Sequence, residues 1–296
     1  MLAFITTIRH PRNSTDYGQV EEFLSDTLDS IARQACDDYV VIVVGNQKPA
    51  FPLPPQMHFV GVNFPPPTAQ RGAQTGMGPV IWDKGTKTGI GLAAAREFSP
   101  DFVMFFDADD YLHRDVARYV HDHPDSQGWV VRKGWMYSRA RNSYVRRNRL
   151  FRICGTSFVV PFAAFEVPDH LTVSSTQSEV VDAFGVDAIE HVIGDHRYAL
   201  EWWRARGRSL AALPFSAVVY HVDTGENHSG TRMLGPGLPY RRHLLEDFGI
   251  RSQKGIAATI WSAIGPSALK PDLRPRRPFF LKPRRPLIQR GRSELA

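Results

Sequence analysis

Three carboxylates lie close together in the segment FFDADDYL, directly after the apolar run Phe102–Phe106. Such a run predicts a buried strand, so Asp107, Asp109 and Asp110 would project at the rim of a sheet. Crowded carboxylates repel one another, and a hard divalent cation between them removes that repulsion. Asp107 and Asp109 are two positions apart and can offer oxygens to one ion. The alternative is that Asp109 or Asp110 caps a helix that begins near Leu112.

Positive side chains precede this acidic segment, on or just before a helix predicted over residues 85–98. Lys84 and Arg96 are our candidates to stabilise a phosphorylated leaving group, because developing negative charge needs cations around it. A solvated helix face is the alternative for each. The loose GxxxGxG pattern that begins at Gly85 matches no standard phosphate-binding spacing, and we interpret it as flexibility at the start of the helix.

Further chemistry-bearing residues lie in the second half of the chain. Asp195 precedes an amphipathic helix predicted over residues 198–206, where a carboxylate can act as a general base or cap the helix. His196 is the reserve candidate for the base. His221 ends an apolar strand predicted over 217–220, and a histidine at such a place is more often structural than ligating.

The segment RARNSYVRRNRLFR, residues 139–152, is rich in arginine and separates strands predicted over 127–136 and 157–162. Such density favours an acidic or phosphorylated partner, because guanidinium groups bind carboxylates and phosphates through paired hydrogen bonds. An exposed hairpin with charged edges is the alternative.

Strand and helix patterns alternate over the first 110 residues. Apolar positions three and four residues apart predict a helix over 17–35, and a loop rich in Pro, Gly and Gln follows over 63–78. The predicted strands cover residues 2–8, 39–44, 58–62 and 102–106. This order predicts an open α/β sheet, in which ligands bind beyond the carboxyl ends of parallel strands.

Composition narrows the class of protein. The 296 residues are 43% hydrophobic and 22% charged, which suits a chain with a buried core and excludes a disordered or collagen-like one. No apolar stretch approaches the ~20 residues of a membrane-spanning helix, and the first residues do not resemble a signal peptide. Cys36 and Cys154 indicate neither a disulfide framework nor a zinc site. We therefore expect a cytoplasmic protein.

The formal net charge of +6 is unevenly distributed. Residues 265–296 carry nine basic side chains, two acidic ones and six prolines, which predicts an extended basic tail. The other residues hold 27 basic and 28 acidic side chains, which argues against a nucleic-acid partner. Apolar residues such as Phe279 and Phe280 interrupt the tail, so it is either solvated or a peripheral contact with the inner face of a membrane.

Taken in order, these landmarks resemble the family 2-like glycosyltransferases of the GT-A fold. The resemblance covers residues 2 to about 229 and includes strand ends at Thr6, Thr7, Gly45 and Asn46. It also includes the segments GIGLAAAREFSPDFVMFFDADDYL, GDHRYALEWWRARG and VVYHVDTGENHS. It implies an α/β fold in which a mixed central sheet joins a Rossmann-like half at 1–115 to an acceptor-binding half at 116–230. A packing region at 231–264, with a helix over 238–248, and the tail at 265–296 would follow.

The resemblance implies transfer of a sugar from a UDP- or GDP-type nucleotide sugar to a hydroxyl acceptor, and the presence of a candidate base indicates inversion. That acceptor would be a glycan, acidic or lipid-linked, in surface glycan synthesis. Mn²⁺ or Mg²⁺ would be held by Asp107, Asp109 and His221. Asp195 would be the base, with Gly194 where the family has a glutamate, and residues 223–228 would form a flap over the donor. The implied donor-binding residues are Thr6, Thr7, Arg9, Asn46, Lys84, Arg96, Asp107 and Ala108.

Two other functions remain open at this stage. One is a nucleotidyltransferase on a similar sheet, and the other is a non-catalytic module that binds sugar or membrane. Release of a nucleoside diphosphate would favour sugar transfer, and release of pyrophosphate would favour the nucleotidyltransferase.

Overall fold

The computed structural model describes residues 1–73, 76–226 and 230–265. Within these ranges no helix is both long and apolar enough to cross a bilayer. The strands are β1 Leu2–Thr7, β2 Tyr39–Gly45, β3 Met57–Gly61, β4 Phe102–Phe106, β5 Tyr111–Leu112, β6 Trp129–Val130, β7 Lys133–Ser138, β8 Ser143–Asn148, β9 Phe158–Pro161, β10 Ala211–Ala212, β11 Val218–Val222 and β12 Leu238–Pro239. The helices are α1 Tyr17–Ile31, α2 Met77–Ala95, α3 Val116–His121, α4 Gln177–Phe184, α5 Val186–Ala188, α6 Ala199–Ala205, α7 His243–Phe248 and α8 Ile256–Ile264, with a π-helical turn at Ile189–Ile193 between α5 and α6.

A seven-stranded sheet with the order β10, β6, β9, β4, β1, β2, β3 forms the framework. Strands β1 to β4 are parallel, with β1 between β2 and β4. Strand β9 then pairs antiparallel with both β4 and β6. The α/β class and the mixed central sheet are therefore confirmed. Strands from both predicted halves share this sheet.

Strand β2 is apolar along its whole length because helices cover both faces of the sheet at its centre. Every residue of β2 is buried. Helices α1 and α3 pack in the core on one face, and α2, α4 and α6 pack on the other. This layering leaves the carboxyl ends of β1, β2 and β4 together at one edge of the sheet.

Helix α2 begins at Met77, eight residues before the predicted start, and its glycines lie in the helix interior. A Cβ at Gly85 would lie 2.8 Å from Cγ2 of Ile189 in the π-helical turn. The corresponding distances are 2.4 Å from Gly89 to Val180 and 2.5 Å from Gly91 to Ile5. The prediction that these glycines provide flexibility was wrong, because they allow α2 to pack closely against neighbouring elements.

A second, five-stranded sheet has the order β12, β8, β7, β11, β5. The single strand predicted over 127–136 is in fact two strands, since β6 joins the large sheet and β7 the small one. The arginine-rich segment forms the β7–β8 hairpin and the turn after it. Arg139 at its start is paired with Glu22 and Asp26 of α1, so part of this charge holds the hairpin to the large sheet's helix layer.

The helix predicted over 238–248 begins five residues late, at His243. Leu238 and Pro239 instead form β12, which pairs with β8. A residue before proline is disfavoured in helical conformation, and proline at an edge strand loses no ladder bond, so the sequence itself explains this error. The tail beyond residue 265 lies outside the described residues.

Candidate active site

Asp107 lies at the carboxyl end of β4 and is held on three sides. Its carboxylate forms an ion pair with Lys84 of α2, and its Oδ2 accepts the Gly155 N–H at 3.1 Å. Its own N–H donates to Thr156 Oγ1 at 2.9 Å. Burial acts to raise the pKa of Asp107, but the charge and hydrogen bond of Lys84, together with His196 and the Gly155 N–H, lower it overall. A Cβ at Gly155 would lie 2.6 Å from Oδ2, so only glycine allows this contact.

Asp109 is the carboxylate whose charge is least compensated at this edge. Burial and the neighbouring charge of Asp107 raise its pKa to about 7, against the opposing effect of Arg9 and Lys84. A divalent cation between Asp107 and Asp109 would remove that repulsion, and carboxylate oxygens are the donors that Mg²⁺ and Mn²⁺ prefer. These two aspartates therefore fit a partly enclosed cation.

Asp110 points away from this edge into the protein and is fully buried. It accepts hydrogen bonds from Thr156 Oγ1 at 2.5 Å, Cys154 Sγ at 3.1 Å and the His221 N–H at 3.1 Å. It thereby ties the end of β4 to β11 and to the loop before β9. Neither Asp109 nor Asp110 caps a helix, because α3 begins only at Val116.

The His221 ring is buried beside the backbone of Asp109, and its place among the metal ligands stays a prediction. It is 1% exposed, and its centroid lies 5.3 Å from that of Phe23, 5.7 Å from that of Tyr111 and 5.8 Å from that of Tyr137. Burial and the charge of Arg139 lower its pKa to about 3. In the part of the chain that the structure describes, no group of three or more His, Cys, Asp or Glu side chains is arranged to hold a metal.

Asp195 follows the π-helical turn and faces the same edge as Lys84. Arg197 binds its carboxylate through Nε, at 3.0 Å to Oδ1 and 2.7 Å to Oδ2, and through its backbone N–H at 3.0 Å. Burial acts to raise the pKa of Asp195, but the Arg197 hydrogen bonds lower it, so the side chain is ionised at neutral pH. A Cβ at Gly194 would lie 2.3 Å from the carbonyl oxygen of Ile81. The close packing of α2 thus excludes a glutamate at position 194.

His196 lines a small cavity together with Lys84, Gly155 and Asp195. Burial lowers its pKa to about 4, so the imidazole is neutral at pH 7. Its Nε2 is buried and has no hydrogen-bond partner among the described residues. Because this neutral nitrogen lies near two carboxylates and an ammonium, His196 remains the reserve candidate for the base.

The structure thus brings four predicted residues, Lys84, Asp107, Asp109 and Asp195, to one edge of the large sheet, and we call them the rim group. Charge interactions link Lys84 to both Asp107 and Asp195. Arg9 also acts on Asp109 across this edge. The arrangement combines two carboxylates suited to a cation, an ammonium suited to phosphate, and a carboxylate able to accept a proton.

Other predicted donor residues are engaged elsewhere. Thr6 donates to the Phe106 carbonyl inside the sheet at 2.8 Å, while Thr7 is partly exposed at the end of β1. The Ala108 carbonyl accepts from Thr27 at 3.2 Å. Asn46 donates to the Val62 and Phe64 carbonyls and so holds the loop after β3.

Arg96 is not brought to the rim group. It lies 12 residues after Lys84, near the other end of α2, which is roughly 18 Å away along the helix axis. Its guanidinium donates to the carbonyls of Pro168, Asp169 and Leu171. These contacts fix the loop before α4, so the solvated-face alternative is also wrong for Arg96.

Of the predicted flap over residues 223–228, the structure describes 223–226, and residues 227 and 228 lie outside the described part. Glu226 is 4% exposed and pairs with Arg9 at 3.0 Å. Its Oε1 accepts the backbone N–H groups of Thr15 and Asp16, each at 2.9 Å, just before α1. Arg9 is therefore bound to this segment.

Sequence reasoning missed Gly155, Thr156 and Arg197, and it placed Asp110 at the rim although this side chain is buried inside the protein. The third carboxylate of DADD was a visible signal for Asp110, because three adjacent acidic groups cannot all serve one exposed ion. Arg197 follows Asp195 by only two residues, so the sequence could have suggested that the two side chains pair. Nothing in the sequence near Gly155 indicates its contact with Asp107, since β9 is distant in the chain.

No protein-family model and no curated protein matches this chain. Among solved structures, TarS from S. aureus is similar with a TM-score of 0.43 and 12% identity, covering 75% of this chain and 36% of TarS. A protein described as a nucleotide-diphospho-sugar transferase from Desulfovibrio desulfuricans G20 has a TM-score of 0.36 and 13% identity, covering 75% of this chain and 82% of that one. At these TM-scores neither likeness carries a functional conclusion.

Proposed function

We propose that this protein is a glycosyltransferase that moves a hexosyl group from a nucleotide diphosphate sugar to a hydroxyl acceptor with inversion. The observation that carries the proposal is the rim group, where Lys84, Asp107, Asp109 and Asp195 meet at the carboxyl edge of parallel strands. This edge is where open α/β sheets bind their ligands. The sequence resemblance to family 2-like enzymes points to the same chemistry.

Each residue of the rim group has its own role in the proposed reaction. Asp107 and Asp109 would hold Mn²⁺ or Mg²⁺, which supplies positive charge for the donor diphosphate when bound. The Lys84 ammonium stabilises negative charge on the departing nucleoside diphosphate. Asp195 accepts the proton of the acceptor hydroxyl, and Arg197 keeps the carboxylate ionised and oriented. The sugar carbon then exchanges its bond to diphosphate for a bond to the acceptor oxygen.

An acidic or lipid-linked glycan, as in surface glycan assembly, is the acceptor class that we propose. The supporting observation is that Arg146, Arg149 and Arg152 remain exposed on β8 and in the turn after it. Arg139 and Arg141, in contrast, are bound within the protein.

The test is donor turnover by the full chain with UDP- and GDP-sugars, with and without Mn²⁺, in which the released nucleotide is identified. We expect a nucleoside diphosphate, and a loss of at least about 100-fold for Asp195→Asn. Asp125→Asn, an exposed carboxylate outside the rim group, is the matched control and should keep full activity. His196→Gln distinguishes the reserve base, because Asp195→Asn at full activity with His196→Gln inactive would transfer the role to His196.

Two outcomes would contradict the proposal itself. Pyrophosphate as the product would make the protein a nucleotidyltransferase. If no nucleotide raises the melting temperature, with or without Mn²⁺, the rim group does not bind a donor and a non-catalytic module becomes the better interpretation.

A further inference from the structure

The last described helix, α8, exposes an apolar face. Ile256 is 84% exposed, Ile260 45%, Trp261 65% and Ile264 56%. Spacing of four residues places the three isoleucines on one side of the helix with Trp261 beside them. We call these four residues the α8 stripe. Large apolar side chains scattered singly over a surface are normal, but four together on three turns indicate a contact surface.

The α8 stripe faces outward because the other side of the helix is firmly attached. Thr259 and Ala263 are buried, and Thr259 Oγ1 accepts from Asn142 Nδ2 at 2.7 Å. Arg141 donates to the Ala263 carbonyl at 3.2 Å, as well as to the carbonyls of Met233 and Gly235. The helix cannot turn its apolar face inward without breaking these bonds.

Charge is strongly biased toward this end of the chain. The 67 residues from Gly230 onward carry 14 basic and four acidic side chains, whereas the first 229 carry 22 basic and 26 acidic ones. Two positively charged segments of this kind repel each other, which disfavours a second copy as the cover of the α8 stripe. An anionic lipid surface attracts the same charges and accepts the apolar side chains.

We infer that the α8 stripe is a docking surface for an anionic membrane, to which the basic residues of the sequence from Gly230 onward are attracted. Ile256, Ile260 and Ile264 enter the boundary between headgroups and acyl chains, and Trp261 takes the interfacial position that tryptophan prefers. Lys and Arg side chains bind the lipid phosphates. This surface goes beyond sugar transfer and is independent of the rim group, so either proposal can fail without the other.

The experiment is flotation of the full-length protein with vesicles of phosphatidylcholine alone or mixed with phosphatidylglycerol, at low and high salt. We expect binding to the anionic vesicles only, weakened by salt. The double variant Ile260→Asp with Trp261→Asp should bind at least about tenfold more weakly, since it removes two inserted side chains. The matched control is Val173→Asp with Val186→Asp, at positions 40% and 48% exposed elsewhere, and should bind normally.

Two further measurements distinguish the apolar and the basic contributions. Replacing Arg276, Arg277, Arg284 and Arg285 by Gln should also weaken anionic binding. Brominated lipid should quench the fluorescence of the bound protein, and Trp261→Phe should bind while losing most of that quenching. Unchanged thermal unfolding of each variant shows that the fold is intact.

Three results would overturn the inference. Binding that survives Ile260→Asp with Trp261→Asp would mean that the basic tail acts without the α8 stripe. Equal binding to neutral vesicles, or none to either, would exclude an anionic membrane. A dimer in sedimentation without lipid that the stripe variant dissociates would identify a second copy as the partner.

Discussion

The rim group and the layer directly beneath it use the same residue types in opposite ways. At the rim, Lys84 and Asp107 are 29% and 27% exposed, beside the carboxylates of Asp109 and Asp195. Beneath it, Lys87 of the same helix is 0% exposed and donates to Asp83 Oδ2 at 2.8 Å and to the Ile8 carbonyl at 3.0 Å. The rim charges remain accessible to a ligand, whereas the lower pair has its charge matched inside the protein. Two lysines three residues apart on α2 therefore have different roles, since Lys84 is accessible to a ligand and Lys87 is paired inside the protein.

The largest effect should come from the buried pair. Lys87→Met leaves the Asp83 carboxylate without its partner in the core and should lower the free energy of unfolding by about 3–5 kcal/mol in urea denaturation. Adding Asp83→Asn should recover part of that loss, because no uncompensated charge remains. A double variant no more stable than Lys87→Met would show that the pair is not coupled in this way.

At the rim, a substitution should cost activity and not stability. Asp109→Asn removes repulsion from Asp107, so we expect the melting temperature to rise slightly in the presence of a chelator. Donor turnover with Mn²⁺ should fall by roughly 10²–10³-fold, the usual cost of losing one charge stabiliser in an active site. If turnover is unchanged, Asp109 has no part in binding the donor or its cation.

A smaller effect is expected for the lysine of the rim. Lys84→Gln should weaken nucleoside diphosphate binding by about 10- to 100-fold in calorimetry, since a charge-assisted hydrogen bond contributes ~1.5–3 kcal/mol. Its cost in stability should be well below that of Lys87→Met, because Asp107 keeps the Gly155 and Thr156 contacts. Equal stability losses in both variants would remove the distinction between rim and buried layer.

The smallest effect concerns Asp195 and pH. Arg197 lowers the folded-state pKa of Asp195, so this pair stabilises the protein above the ordinary value of 3.8 and the contribution is lost as pH falls through the lower folded value. Arg197→Gln should therefore reduce stability at pH 7 by roughly 1 kcal/mol, since Arg197 is one-third exposed. The difference from the unmodified protein should vanish in strongly acidic solution. A difference that persists there would assign it to packing.

The sequence predicted the parallel half of the fold well and the second half less well. Runs such as β2 and β4 are buried on both faces, and this local property is visible in composition alone. The split of residues 127–136 into β6 and β7 depends on which sheet each segment joins, and that is settled by partners far along the chain. Pro239 was the one local signal that the prediction of a helix over 238–248 ignored.

The candidate site follows the same division. Asp107 and Asp109 follow β4, and Lys84 lies on the helix that precedes this strand in the chain. The sequence could therefore predict that these three side chains come together. The resemblance predicted the His221 ring among the metal ligands, whereas its aromatic neighbours Phe23, Tyr111 and Tyr137, which come from three separate segments, were not predicted. No pattern near residue 221 reports those contacts.

The position of β9 in the large sheet has a consequence for the nascent chain. Until residue 161 has left the ribosome, one edge of β4 has no strand to pair with, although β1 to β4 are complete some 55 residues earlier. An unpaired apolar strand edge can pair with another chain and so promotes aggregation. During synthesis the free edge of β4 must therefore be shielded until β9 has been made. A fragment ending near residue 115 should be insoluble when expressed alone.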